Sequence, residues 1–126
     1  MSLSRLAAAA FLASLAFSPV SAQPSSPSVT INVRSFSFAP QPIRLAAGRP
    51  VTLTFVNQSG SGHDFTAKEF FAASAISAGT APGGKIALAG HETKSITLTP
   101  RAGSYAAHCS HFLHSSFGMK DVIVVR

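Results

Sequence analysis

The stretch from Tyr105 to Met119, YAAHCSHFLHSSFGM, concentrates the side chains of this chain that bind metals. It holds the one cysteine, three of the five histidines and one of the two methionines. Cys109, His114 and Met119 follow the spacing Cys-x4-His-x4-Met. A thiolate, an imidazole and a thioether that converge on one point suit a soft metal ion, copper above all. One more imidazole would complete a His2Cys set with a weak axial Met, and His63 in SGHDF is the best candidate.

Three histidines of this stretch compete for the metal. Successive side chains of a strand point to opposite faces, so a strand ending at Cys109 turns His108 away from the site. His111 is separated from Cys109 by one residue, which is short for both side chains to reach one centre. His114 has room for a turn, and we expect it to join His63 and Cys109 around the ion. His108 and His111 are expected outside this set, able at most to hold a second, weaker metal.

Short strands must position these residues, and the sequence predicts seven or eight of them. Apolar and polar residues alternate along most of the segments, and turn residues separate them, which is typical of an all-β, antiparallel Greek-key sandwich. Phe36 and Phe38 are expected to continue the apolar face of the first strand, until Pro40 interrupts it. Residues 66–82 form either a short helix or an irregular insertion. The predicted strands are Val29–Arg34, Ile43–Leu45, Val51–Phe55, one beginning at His63, Lys85–Ala89, Thr93–Leu98, Gly103–Cys109 and Lys120–Val125.

The first 22 residues have the pattern of a secretory signal peptide. Arg5 precedes an apolar run from Leu6 to Phe17, and Val20-Ser21-Ala22 suits cleavage before Gln23. The run is shorter than the roughly 20 apolar residues needed to span a bilayer. We therefore expect a signal peptide over residues 1–22, a polar linker over 23–28 and one domain over 29–126. The mature chain would be periplasmic or secreted, with no transmembrane segment, and with a single cysteine it can form no intrachain disulfide.

The charge is basic but diffuse. The chain has 10 Lys and Arg against 4 Asp and Glu. Removing Arg5 with the signal leaves nine positive and four negative residues, a net charge of +5. The positive residues are scattered, without a basic run interleaved with aromatics, which disfavours nucleic-acid binding. Such a field can speed encounter with an acidic partner protein.

The ligand stretch resembles the C-terminal loop of cupredoxins, the plastocyanin and azurin type of copper protein. Upstream, FSFAPQPIRLAAGRPVTLTFVNQSGSGHDF resembles the first half of that family, with the first His ligand at its end. The resemblance implies one copper per chain, bound by His63, Cys109, His114 and Met119. It also implies a hydrogen bond between Asp64 and Ser110 that ties the two ligand loops together. The family commonly has Asn where this chain has Asp64.

Two functions of different classes follow from the resemblance. The first is a monomeric electron carrier that exchanges electrons with a redox partner protein. The second is a copper-handling protein of the cell envelope, which receives copper from a donor protein or passes it to an acceptor. The run His108-Cys109 also resembles multicopper oxidases and copper nitrite reductases. The chain lacks the His-x-His pairs and further domains of multicopper oxidases, so we expect it not to be an enzyme.

Overall fold

The computed structural model describes residues 7–22, 25–111 and 119–126. Within them lie ten strands, one short helix and a single 3₁₀ turn at Pro82–Gly84. The elements in chain order are β1 (Ser28–Arg34), β2 (Ser37–Ala39), β3 (Ile43–Leu45), β4 (Val51–Asn57), β5 (His63–Thr66), α1 (Lys68–Ala72), β6 (Ala75–Ala78), β7 (Lys85–Leu88), β8 (Thr93–Thr99), β9 (Gly103–His108) and β10 (Lys120–Val125).

The strands form two five-stranded sheets that enclose one core. The first sheet has the order β2-β1-β4-β8-β6, and the second has the order β3-β10-β9-β5-β7. Strand β4 shows why the chain folds this way: Val51, Leu53 and Phe55 are buried, and the threonines between them are half-buried. Alternation of this kind places one face of each sheet against the other. The predicted β-sandwich is confirmed.

Two strand pairs differ from the antiparallel pattern. Strand β1 pairs in parallel with β4, and β10 pairs in parallel with β3, while the other pairs are antiparallel. After β2 the chain passes to the second sheet to form β3 and then returns to the first as β4. This passage brings β4 back beside β1 in the same direction. Both sheets are therefore mixed.

The segment 66–82 contains both regular and irregular structure. The short helix is present as α1, where Phe70 and Phe71 are buried against the core. The sequence did not predict β6, an edge strand whose four residues are all exposed. Because neither face of β6 is buried, its sequence carries no apolar alternation that would reveal a strand.

Phe36 departs from its predicted place on the apolar face. It lies in the turn between β1 and β2 with a φ of 67° and is 46% exposed. Phe38 is buried as expected. The turn reverses the chain and takes Phe36 out of the alternation that the strand would have imposed.

The N-terminal residues 7–22 are exposed and belong to neither sheet. Among the residues that the structure describes, no helix is long and apolar enough to cross a bilayer.

The loop before His63 is held by the turn between β7 and β8. The buried Asn57 side chain donates to the carbonyl oxygens of Ser61 at 2.8 Å and Ala89 at 2.9 Å. Next to this link, a side chain on Gly90 would collide with the backbone of Gly60, whose carbonyl carbon lies 2.6 Å from an ideal Cβ position. Glycine at position 90 thus allows the two loops to touch.

We predict that Gly90→Ala lowers the free energy of unfolding by about 1–3 kcal/mol, the usual cost of overpacking. The matched control is Gly60→Ala, because a Cβ there meets only His91 Nε2, at 3.7 Å. Urea denaturation of both variants measures the difference. Equal stability of the two variants would contradict the close approach of the loops.

Candidate metal centre

Cys109 follows the last residue of β9 and is fully buried. Ala107 on the same face is also buried, whereas His108 between them is half-buried. His108 lines a surface cavity of about 380 Å³ with Lys68, Glu69 and Lys85. The strand therefore directs the thiol into the protein and His108 to the other face.

Met119 lies beside Cys109 although nine residues separate the two in the sequence. The backbone N–H of Cys109 donates to the carbonyl oxygen of Met119 at 3.1 Å, and both side chains have 0% exposure. The pairing of β9 with β10, which matches His108 with Lys120, produces this juxtaposition. The predicted ligand His114 falls in residues 112–118, outside the described residues, and stays a prediction.

His63 is brought to the same end of the sheet by β5. This strand lies between β7 and β9, and it pairs His63 with Leu88 and Thr66 with His108. The His63 side chain is 2% exposed, and its ring centroid is 6.3 Å from that of His111. Two residues further along β5, Phe65 packs into the core against Phe55, with ring centroids 4.9 Å apart. The position of His63 is thus fixed by the core.

The hydrogen bond between Asp64 and Ser110 that the family resemblance implied is present. The Ser110 hydroxyl donates to Asp64 Oδ2 at 2.6 Å, and the Ser110 N–H donates to Oδ1 at 2.9 Å. Thr66 adds a third bond, from its hydroxyl to Oδ1 at 2.6 Å. These bonds join the residue after His63 to the residue after Cys109. They orient the two segments in the way that outer hydrogen bonds orient metal ligands.

Burial and hydrogen bonding shift the pKa values of Asp64 and Cys109 in opposite directions. Burial alone would raise the pKa of Asp64, but the hydrogen bonds from Ser110 and Thr66 outweigh it and lower the pKa below its usual value. Burial raises the pKa of the Cys109 thiol, although the backbone N–H groups of Asp64 and His111 donate to its sulfur. Asp64 is therefore a carboxylate, while Cys109 is a thiol until a cation binds it, since a coordinating thiol loses its proton.

His111 lies closer to Cys109 than the sequence spacing suggested. Among the described residues, one ligand atom each from Asp64, Cys109 and His111 lie within 4.8 Å of one another. Strand β9 ends at His108, and the chain bends at His111, which returns its ring toward the cysteine. Sequence reasoning missed this cluster because no proline or glycine at the bend predicts that the chain turns there.

Asp121 is a further buried acidic residue that sequence reasoning missed. Burial raises the pKa of its carboxyl to about 6. The signal that could have revealed it is the alternation of β10, where every second residue, Asp121, Ile123 and Val125, is buried on the inner face. It lies two residues after Met119 and adds a polar group to the sandwich beneath the site.

The donor atoms fit a soft metal ion. The fold places a thiol, a thioether and an imidazole, all buried, at one end of the second sheet. Sulfur and imidazole nitrogen are the donors that copper prefers in proteins. Hard cations such as Mg²⁺ and Ca²⁺ need several oxygen ligands, which these three residues do not offer.

Comparison with known proteins agrees with this chemistry. A family model described as a cupredoxin-like domain matches residues 6–125. Solved auracyanin structures share the fold. The reduced auracyanin of Roseiflexus castenholzii superposes with a TM-score of 0.61 at 17% identity, over 82% of this chain and 99% of that one. Auracyanin B gives a TM-score of 0.58 at 22% identity, over 83% and 92%. Auracyanin A of Chloroflexus aurantiacus, described as a "blue" copper protein, gives 0.54 at 21% identity, over 79% and 99%. No curated protein sequence matches the chain.

We predict that Asp64→Asn lowers the free energy of unfolding by about 1–3 kcal/mol, because hydrogen bonds to a charged carboxylate are stronger than the bonds that a neutral amide could form in its place. Glu92→Gln is the matched control, since Glu92 is a half-exposed carboxylate that accepts one backbone bond, from Ala89 at 3.3 Å, and forms a surface ion pair with Lys94 at 3.4 Å. Its change should stay within about 0.5 kcal/mol. Chemical denaturation of both metal-free variants compares them. If Asp64→Asn is as stable as the wild type, the negative charge of Asp64 does not strengthen the link between the two segments.

Proposed function

Because the chain belongs to the cupredoxin-like domain family, we propose that it is a type-1 copper protein that carries single electrons. This membership confirms the resemblance found in the sequence. The observation that supports the proposal best is the burial of His63, Cys109 and Met119 around one end of the second sheet. With His114, these residues supply the two nitrogens and two sulfurs of a type-1 set.

Bound copper would supply the exchange of one electron between its Cu(I) and Cu(II) states. The sulfur of Cys109 and the imidazoles of His63 and His114 would hold the ion, and Met119 would bind weakly as the axial ligand. The protein keeps these groups in place by packing and by the Asp64–Ser110 bonds, so that the ligands move little when the charge changes. Burial of His63, Cys109 and Met119 also keeps water away from these three donors.

Cys109→Ser tests the copper site directly. A Cu(II)–thiolate bond gives an intense visible charge-transfer band, and Cys109 is the one thiol of the chain. We expect the wild-type protein to become strongly coloured after addition of Cu(II) and the variant to stay nearly colourless. Visible and EPR spectra provide the measurement, with Ser110→Ala as a neighbouring control that retains the band. A colourless wild-type complex would overturn the type-1 assignment.

The three loop histidines provide a second test. After copper loading, we expect His114→Ala to lose the type-1 spectrum, and external imidazole to restore part of it by filling the gap. His108→Ala should keep the spectrum because His108 faces away from Cys109, and His111→Ala should keep it because the four ligands remain. If His111→Ala destroys the spectrum while His114→Ala spares it, the ligand assignment in the loop is wrong.

Copper handling in the cell envelope is the second candidate function. The observation that favours it is the half-exposed ring of His111 beside Cys109, because an electron carrier needs only four ligands. The rate of copper transfer to a competing chelator, set against the rate of electron self-exchange, separates the two functions. Fast transfer with slow self-exchange supports copper handling.

Export is part of the proposal. Residues 1–22 would direct secretion and be removed before Gln23, leaving a linker over 23–28 and the copper domain over 29–126, in the periplasm or outside the cell. The exposure of residues 7–22, away from both sheets, supports their removal without loss of the fold. N-terminal sequencing of the exported protein tests the cleavage position. The redox partner of the resulting +5 domain would be acidic.

A further inference from the structure

Asp64, Cys109 and His111 form a cluster that the copper ligand set does not use as a whole. Only Cys109 is common to both, and one ligand atom from each of the three lies within 4.8 Å of the others. Zinc binds sulfur at about 2.3 Å and nitrogen or oxygen at about 2.0–2.2 Å, so its tetrahedral ligands lie roughly 3.5 Å apart. These three atoms would have to approach by at most about 1.3 Å to reach that spacing, and rotation of the half-exposed His111 ring can shorten its own distances to the other two.

The Asp64 carboxylate is oriented by hydrogen bonds, and its Oδ2 atom lies toward His111. Each carboxylate oxygen can accept two hydrogen bonds. Oδ1 accepts from Thr66 and from the Ser110 N–H, whereas Oδ2 accepts from the Ser110 hydroxyl. His111 Nε2 is 3.6 Å from Oδ2, at ion-pair distance. A cation between the carboxylate and the imidazole could therefore be bound by Oδ2 and by the His111 ring.

The chemistry of the cluster differs from that of the copper ligands. A carboxylate oxygen, an imidazole nitrogen and a thiolate are the three donor types found in zinc sites. The copper set instead pairs Cys109 with the thioether of Met119, a donor that selects softer ions. Access also differs, because the His111 side chain is 47% exposed and that of Asp64 is 3% exposed. The cluster thus has one open side, where a water molecule could complete four-fold coordination.

We propose that Asp64, Cys109 and His111 form a second ligand set, which binds a divalent cation of the zinc class. Because it shares Cys109 with the copper centre, zinc and copper exclude each other. Zinc binding stands on the cluster alone, and the exclusion rests on the proposed copper function. Cys109 would thus be shared by two sites, the buried copper site and the more exposed zinc site.

Titration of the metal-free full chain with Zn(II), followed by calorimetry, tests the ligand set. Co(II) serves as a coloured substitute whose thiolate band reports contact with Cys109. We expect His111→Ala to weaken Zn(II) and Co(II) binding at least about tenfold, and Asp64→Asn to weaken it similarly. His91→Ala is the matched control, an exposed histidine in the turn between β7 and β8, and should bind like the wild type. His63→Ala should keep its zinc affinity within about threefold, since His63 is not in the cluster.

The opposite pattern overturns the proposal: zinc affinity that falls in His63→Ala and is unchanged in His111→Ala would place zinc on the copper ligands.

A second measurement tests whether zinc and copper exclude each other. Equimolar Zn(II) added first should slow the appearance of the copper colour in the wild type and in His91→Ala, but not in His111→Ala. Equal slowing in all three proteins would contradict exclusion through this cluster. The copper function would be overturned, and the zinc site kept, if the wild type never develops the copper colour while His111→Ala still binds zinc more weakly than the wild type.

Discussion

The carboxylate of Asp64 is the group on which the arrangement of the site depends. It accepts hydrogen bonds from Thr66 within β5 and from the backbone and hydroxyl of Ser110 beyond β9. An ionised group at this depth is stable only when its oxygens are bonded, so the three donors must stay where they are. By this constraint the segment carrying His63 and the segment carrying Cys109 keep a fixed relation without any metal.

Packing in the hydrophobic core also holds the strand that carries His63 in place. Phe65 follows His63 by two residues on the inner face of β5 and packs edge-on against Phe38, with ring centroids 5.2 Å apart, and closely against Phe55. Phe38 and Phe55 belong to the opposite sheet, so the aromatic contacts join the two layers directly under the site. A shift of β5 along its axis would move the imidazole of His63 and disturb this packing at the same time, so the packing resists such a shift. Position of the donors and stability of the sandwich are therefore coupled.

Sequence reasoning predicts those parts of the structure where one local pattern decides. The alternation in Val51–Phe55 predicted β4, and the lone cysteine at a strand end indicated where to place the candidate site. The parallel pairs were not predictable, because nothing local in β1 or β10 encodes the direction of a distant partner. The proximity of His111 depends on a backbone bend, and the Asp64–Ser110 bond was expected only through the family resemblance. His114 lies outside the described residues, so its role stays a prediction.

The place of β10 within its sheet has a consequence for the order of folding. It lies between β3 and β9, and it pairs Ile123 with Ile43, which come from distant parts of the chain. Pairings between distant residues form slowly, because much chain entropy is lost before contacts are gained. Met119 reaches Cys109 through the nearer pairing of β9 with β10, but the second sheet stays incomplete until β3 pairs with β10. Before the sheet and its core are complete, the thiol is open to oxidants and to metal ions. The pairing of β3 with β10 therefore ends the period in which the sulfur is easily oxidised.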